Sequence, residues 1–218
     1  MAALDGAIPA IIGAANAAGG SHQVDRSLRF NSADSAYLNR TPSSAGSRTA
    51  WTWSGWVKRS KLGVTNQSFF GSENASNREA YLAFLSNDKL KFGDTGTGSS
   101  SYILELTTTQ VFRDPSAWYH IVAVWDSGNA TQADRGRLYV NGVRVTDFST
   151  NTNSVSLNDN SYVNGANQHF ISRYVNYSGS NTYNDGYVAE VHFIDGQALV
   201  ATDFGETDAD NNLSLIHI

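Results

Sequence analysis

Cysteine is absent from this 218-residue chain. Disulfides, cysteine-ligated zinc and thiol nucleophiles are therefore excluded, while the redox compartment stays open. Charge is scarce: Asp, Glu, Lys and Arg make up 16% of the residues, and the net charge is −5. An acidic balance disfavours a phosphate backbone as partner, so no nucleic acid is expected. Only 3 prolines occur. No apolar run reaches the ~20 residues that a membrane-spanning helix needs. The opening MAALDGAIPAIIGAANAAGG has no Lys or Arg and is interrupted by Pro9. It therefore lacks the positive leader of a secretory signal. No membrane insertion is expected. What remains is 40% hydrophobic and 11% aromatic, with 5 Trp. That is core-forming material, and the high aromatic content excludes a disordered chain.

The organisation reads in three parts. Residues 1–24 are a small-residue apolar leader ending in the Gly19-Gly20-Ser21 linker signal. Residues 25–205 are one folded domain. Residues 206–218 are a truncated tail. Its last six residues, LSLIHI, back-translated as CTG-TCT-CTT-ATA-CAC-ATC, resemble the mosaic-end adapter of transposase-based sequencing libraries. Residues 213–218 are thus read as a sequencing-adapter scar, with the natural chain running on past Asn212. The alternative is a genuine apolar strand.

Within 25–205 no amphipathic helix is convincing. Short β-branched and aromatic runs recur between Gly, Asn, Asp and Ser clusters. Expected strands are Ser27–Asn31, Trp51–Arg59, Gln67–Gly71, Ala80–Leu85, Leu90–Phe92, Tyr102–Thr107, Trp118–Trp125, Arg137–Asn141, Val143–Phe148, His169–Arg173 and Tyr187–Ile194. Many short strands point to an antiparallel sandwich. In RLYVNGVRVTDF, Asn141-Gly142 is a hairpin signal, since a type I′ turn needs φ > 0 at both central positions. The turn pairs Val140 with Val143, Tyr139 with Arg144 and Leu138 with Val145. Leu138, Val140, Val143 and Val145 then form an apolar face; Arg137, Tyr139, Arg144 and Thr146 form a polar one. In His120–Asp126 both faces are apolar, which predicts a strand covered on both sides. Near the C-terminus, Tyr187, Ala189, Val191 and Phe193 read as the core face. Val188, Glu190, His192 and Ile194 read as the half-exposed face. Trp53, Trp118 and Trp125 are expected in the core.

Four blocks, in order, carry a resemblance: SLRFNSADSAYL (27–38), WTWSGWVKRS (51–60), WYHIVAVWD with GRLYVNGVRV (118–145), and GYVAEVHFIDGQAL (186–199). They resemble the LamG-like jelly roll of the concanavalin A-like lectin/glucanase superfamily. The resemblance implies an all-β fold: a two-sheet antiparallel jelly-roll β-sandwich. The Ser/Asn/Thr-rich dialect of SLRFNSADSAYLNR resembles LamG-type proteins of tailed phages and their environmental relatives.

Glucanases of this superfamily carry Glu-x-Asp-x-(x)-Glu on one strand, which sets two carboxylates about 5–5.5 Å apart. The nearest string here runs from Glu190 through His192 to Asp195. His192 replaces the Asp and no second Glu follows, so no enzyme is expected. G-x-S-x-G, P-loop and H-E-x-x-H patterns are absent too. His120 reads as a hydrogen-bonded sheet residue rather than a ligand.

Lectins of this superfamily bind sugars through loops, with Asn and Asp reading hydroxyls and aromatic rings stacking on C–H faces. The stretch VNYSGSNTYNDGY supplies both kinds: Asn176, Tyr177, Asn181, Tyr183, Asn184 and Asp185 are the candidate ligand-binding residues, with plain surface loop as the alternative. A second candidate is the segment 151–164, with Asn158-Asp159-Asn160. No cofactor is required; the resemblance leaves room for calcium, for which Asn31, Asp34, Asp126 and Asp185 offer oxygens, but no ordered ligand set is visible. The expected function is a noncatalytic carbohydrate-binding or adhesion module of a phage virion protein, in a tail fibre or decoration protein. Its partners would be a cell-surface glycan or polysaccharide and other virion proteins. It would sit on the particle surface, or otherwise be extracellular. The alternatives are a structural virion domain without ligand, or the targeting module of a polysaccharide-degrading enzyme.

Overall fold

The computed structural model describes residues 26–74, 78–98, 101–175, 181–207 and 213–215. The leader, Asn176, Tyr177 and the 208–212 tail lie outside the described residues. The strands are β1 (Leu28–Phe30), β2 (Leu38–Arg40), β3 (Ala50–Arg59), β4 (Gln67–Asn74), β5 (Arg78–Phe84), β6 (Lys89–Asp94), β7 (Leu104–Val111), β8 (Tyr119–Asp126) and β9 (Gly136–Val140). They continue with β10 (Val143–Arg144), β11 (Phe148–Asn153), β12 (Gln168–Ile171), β13 (Arg173–Val175), β14 (Asn181–Tyr183), β15 (Gly186–Asp195), β16 (Gly205–Thr207) and β17 (Leu213–Leu215).

Two antiparallel sheets form the expected jelly-roll sandwich. One has six strands in the order β1-β15-β3-β8-β9-β10, the other seven in the order β11-β7-β6-β5-β4-β12-β2. Two short ribbons, β13–β14 and β16–β17, complete the described strands. Between the sheets Trp51, Trp53 and Trp125 are fully buried against Leu82, Phe84, Phe92 and Leu104. A ring burying ~200 Å² contributes on the order of 5 kcal/mol at ~25 cal/mol per Å².

β8 lies between β3 and β9, and Tyr119 through Trp125 are all buried. Ile121, Ala123 and Trp125 join the inter-sheet core. Val122 and Val124 pack the other way, against Tyr139, Ala201 and Phe204. The chain after β15 thus covers the outer face of the six-stranded sheet. His120 is buried there, and its Nε2 meets Ser54 Oγ at 2.9 Å.

The hairpin has the expected register, Val140 opposite Val143 and Tyr139 opposite Arg144, with φ of 49° at Asn141 and 82° at Gly142. Its faces differ from expectation. Val143 is 70% exposed, because β10 is a two-residue edge strand with little beyond it to pack on. Tyr139, assigned to the polar face, is buried in the second cluster.

β15 corrects the reading of its faces. The register slips between Ala189 and His192, and Glu190 has φ +48°. A bulge inserts one residue and reverses the alternation beyond it. Before the bulge Val188 points into the core; after it Val191 packs there instead. Phe193 is 37% exposed. Trp118 is half-buried at the rim, 6.3 Å from the Tyr187 ring, rather than in the core. Val143–Phe148 is not one strand: β10 ends at Arg144, Val145 N still donates to Leu138 O at 2.9 Å as the expected third pair, and Phe148 starts β11.

Candidate functional site

The expected recognition loop divides into two kinds of residue. Asn181 and Tyr183 lie on β14, opposite Val175 and Arg173. Asn181 is exposed, and its Oδ1 accepts from Arg173 Nε and Nη2 at 3.2 and 2.9 Å. The half-buried Tyr183 ring lies 6.1 Å from that of Tyr37. Asn184 and Asp185 are not surface ligands. Asn184 is fully buried, and its N–H donates to Ser172 O at 3.1 Å. Asp185 is buried too, 2.9 Å from Lys61 Nζ and 3.3 Å from Arg29 Nη2. It also accepts from Ser32 Oγ at 2.8 Å. Burial pushes its pKa up, but the bonds from Lys61 and Ser32 outweigh this and hold it below the ordinary carboxylate value. The physical reason is position: both residues precede β15 directly, where a buried polar group must be satisfied from within.

The segment 151–164 divides as well: Asn158 and Asn160 are exposed and Asp159 is half-buried, while its end turns inward. Ser156 N donates to Asp159 Oδ2 at 2.6 Å, and Ser161, Tyr162 and Val163 are buried.

The structure brings together a different set. An open cleft of about 620 Å³ lies between the β2–β12 edge and the end of β15, closed on one side by the 42–46 loop. Leu38, Phe70, Ile171 and Phe193 give it an apolar floor; Arg40, Asn164, His169 and Asp195 give it a polar rim. Phe193 is held in place by stacking on Trp51, at 5.8 Å and 28° between planes. Asn164, with φ +63°, donates from Nδ2 to Asp195 Oδ1 at 2.6 Å and to Ser47 O at 2.8 Å. Gly46 N donates to Asn164 O at 3.0 Å, and a Cβ on Gly46 would stand 2.5 Å from Asn164 Nδ2. A side chain there would displace the Asn164 and Asp195 side-chain ends from this arrangement. Asn164 N donates to His169 Nε2 at 2.9 Å, while His169 Nδ1 faces Asn167 O at 2.8 Å. That pattern places the proton on Nδ1. Burial pushes the His169 pKa below its usual value. A flat aromatic floor beside fixed hydrogen-bonding groups suits a ligand with one apolar face and a hydroxyl-bearing edge.

Of these cleft residues the sequence touched only two in any functional pattern: Asn164, the end of the second candidate segment, and Asp195, the end of the string compared with glucanases. His169, Phe170 and Ile171 read only as strand, and Phe193 as core. Their meeting is non-local: Phe70 and Phe193 are more than 100 residues apart in the chain, and even Asn164 and Asp195 are separated by 31.

The carboxylates expected for calcium fit that ion poorly. Asp185 carries Lys61 and Arg29, Asp126 carries Arg137 at 3.2 Å, and Asp34 Oδ2 accepts from Asn31 at 2.6 Å. Among the described residues, no group of three or more His, Asp or Glu could hold a metal. Nor do Glu190 and His192 share a face: Glu190 lines a small apolar cleft with Val188 and Val191, and His192 is exposed opposite Ser54. Among the described residues, no helix is long and apolar enough to cross a membrane.

The family model Laminin_G_3, of the Concanavalin A-like lectin/glucanases superfamily, matches residues 30–203. A comparison with curated proteins finds no match. Among solved structures, the Ruminococcus gnavus IT-sialidase CBM40 bound to alpha2,3 sialyllactose is similar with a TM-score of 0.52 and 12% identity, over 84% of this chain and 97% of that one. Domain 4 of AbnA, a GH43 extracellular arabinanase from Geobacillus stearothermophilus in complex with arabinotriose, gives 0.51 and 17%, over 84% and 76%. Domains LG4-5 of the mouse laminin alpha1 chain give 0.50 and 15%, over 77% of this chain and 40% of that one. At these identities the likeness is one of fold.

Proposed function

We infer function from one premise: the chain belongs to the Laminin_G_3 family of the concanavalin A-like lectin/glucanases superfamily. We propose that it is a noncatalytic carbohydrate-binding module, and that the cleft between β2–β12 and β15 holds the sugar. The cleft carries the reading: Phe193 offers a ring to a pyranose C–H face, and Asp195, Asn164 and Arg40 stand where hydroxyls would project. The glycan-bound Ruminococcus and Geobacillus neighbours support it as members of the same fold. At a finer level, the phage-like dialect of residues 27–40 supports display on a virion, in a tail fibre or decoration protein, with a cell-surface glycan as target. Calcium plays no part in the binding proposed.

The test is a glycan array probed with multimerised domain, followed by Phe193→Ala and Phe193→Leu. Both substitutions should weaken binding about ten-fold or more, the loss of ~1.4 kcal/mol. F193L keeps apolar volume on Trp51, so it separates the lost ring from a lost fold. Wild-type affinity in both variants sinks the cleft. A multimer that binds no glycan while its parent virion still adsorbs sinks the module. The arabinanase neighbour is one domain of an enzyme, which favours a targeting module as the second reading. Reducing-sugar release by the parent protein would establish that one.

A further inference from the structure

Arg173, like Arg48 and Arg135, has no carboxylate partner among the described residues, but it is held by two rings and a side-chain amide where those two donate to backbone carbonyls. Arg59 pairs with Asp88 at 3.0 Å and Arg137 with Asp126 at 3.2 Å. Arg173 makes no ion pair among the described residues. Its guanidinium carbon lies 4.9 Å from the Tyr37 ring centre and 4.6 Å from that of Phe170. Nε and Nη2 both donate to the neutral Asn181 Oδ1. The side chain is thus fixed in direction without being neutralised. Among the described residues Nη1 and the second Nη2 hydrogen have no acceptor, and they form the end of the fork that fits a carboxylate bidentately. The ordering cost of a long side chain has been met in advance by the two rings and the amide. The acid that senses Arg173 is Glu73 on β4, whose own pKa burial pushes up. Beside the guanidinium, the Tyr37 ring is 37% exposed and available to a sugar face.

We propose that Arg173, set between Tyr37 and Phe170 and oriented by Asn181, is an anion subsite for the carboxylate of an acidic sugar. The inference rests on the carbohydrate reading and adds a ligand class to it, at a place separate from the polar rim of the cleft. A sugar acid meets charge and ring together: its carboxylate on the fork, its C–H face on Tyr37.

The experiment compares trigalacturonate with its methyl ester, in which each carboxylate is replaced by a neutral ester, by calorimetric titration of the full chain. The acid should bind at least ten-fold more tightly than the ester, and added salt should reduce the difference. Arg173→Gln should bring the ratio close to one. Arg173→Lys should retain part of it, since charge persists and the fork is lost. Urea midpoints of R173Q and R173K within 0.3 M of wild type would establish that the fold is intact. A wild-type ratio near one, or an unchanged ratio in R173Q, overturns the proposal. So does displacement of trigalacturonate by an equal concentration of acetate, which would mean that no sugar contact contributes. Failure of the cleft reads differently: ester and arabinotriose binding would be insensitive to F193L while the acid preference persists.

Discussion

Asp94 ends β6 fully buried, accepting from Ser161 Oγ at 2.5 Å, Gly96 N at 2.6 Å and Tyr162 N at 3.1 Å. Burial outweighs these bonds and pushes its pKa up from 3.8 to about 6. A raised folded pKa means that the fold prefers the protonated form. The associated stability is therefore fully present below pH 3.8 and lost as pH rises through about 6. Two units correspond to about 3 kcal/mol. Urea unfolding of wild type and D94N should show it: wild type gains stability relative to D94N by about that amount from pH 7 to pH 4. A pH-independent difference would refute the assignment. His169 has the opposite sign. Its pKa is lowered from 6.5 by burial, so neutral imidazole is favoured, and its contribution is lost as pH falls below 6.5. Arg40 opposite it on β2 and Arg48 before β3 both act against protonation, while Asp195 lies across the cleft. Protonation would also set an N–H against the Asn164 N–H that Nε2 now accepts. Ligand affinity in the cleft should weaken between pH 7 and pH 5, and His169→Gln should flatten that profile.

The hairpin and β15 show how far alternation can be read from residues. Asn141-Gly142 fixed both turn and register, because a left-handed pair leaves one way to join two strands. Gly142→Ala at φ 82° should cost about 1 kcal/mol by chemical denaturation, with glycan binding unchanged; no cost would mean that the turn relaxes. β8 was legible because both its faces are apolar. β15 was legible as a strand but not as two faces, because a one-residue bulge leaves no composition signal and reverses everything beyond it. β2, β11 and β14 were missed for another reason. LNR, FSTNTN and NTY are polar, and they become strands by pairing at sheet edges rather than by propensity. The candidate site suffered from the same limit. Asn184 and Asp185 have the chemistry of sugar ligands, but the start of β15 carries them inward. Phe193 has the chemistry of core, but the sheets part there and leave it at the surface.

Across the whole molecule, two shallow sites border the β2 edge, and both are open. An open cleft leaves much of a bound sugar in water, so each site recovers little beyond the cost of association. Strength then has to come from copies. Displayed in many copies, as proposed, the domain would meet a surface carrying many glycans, and each later contact would be intramolecular. The net charge of −5 works against a bare acidic surface, which favours a target where isolated carboxylates lie among neutral sugars. The expectation is measurable on the array-selected glycan immobilised at high density. A streptavidin-linked tetramer should be retained at concentrations about 100-fold or more below those needed by the monomer. On sparse glycan the gain should vanish, because neighbouring sites then lie beyond the reach of one tetramer. A gain below about three-fold at high density would show that single-site affinity carries binding, and the case for multivalent display would fall with it. A tetramer of F193L should lose the advantage at every density, since avidity multiplies an affinity that must first exist.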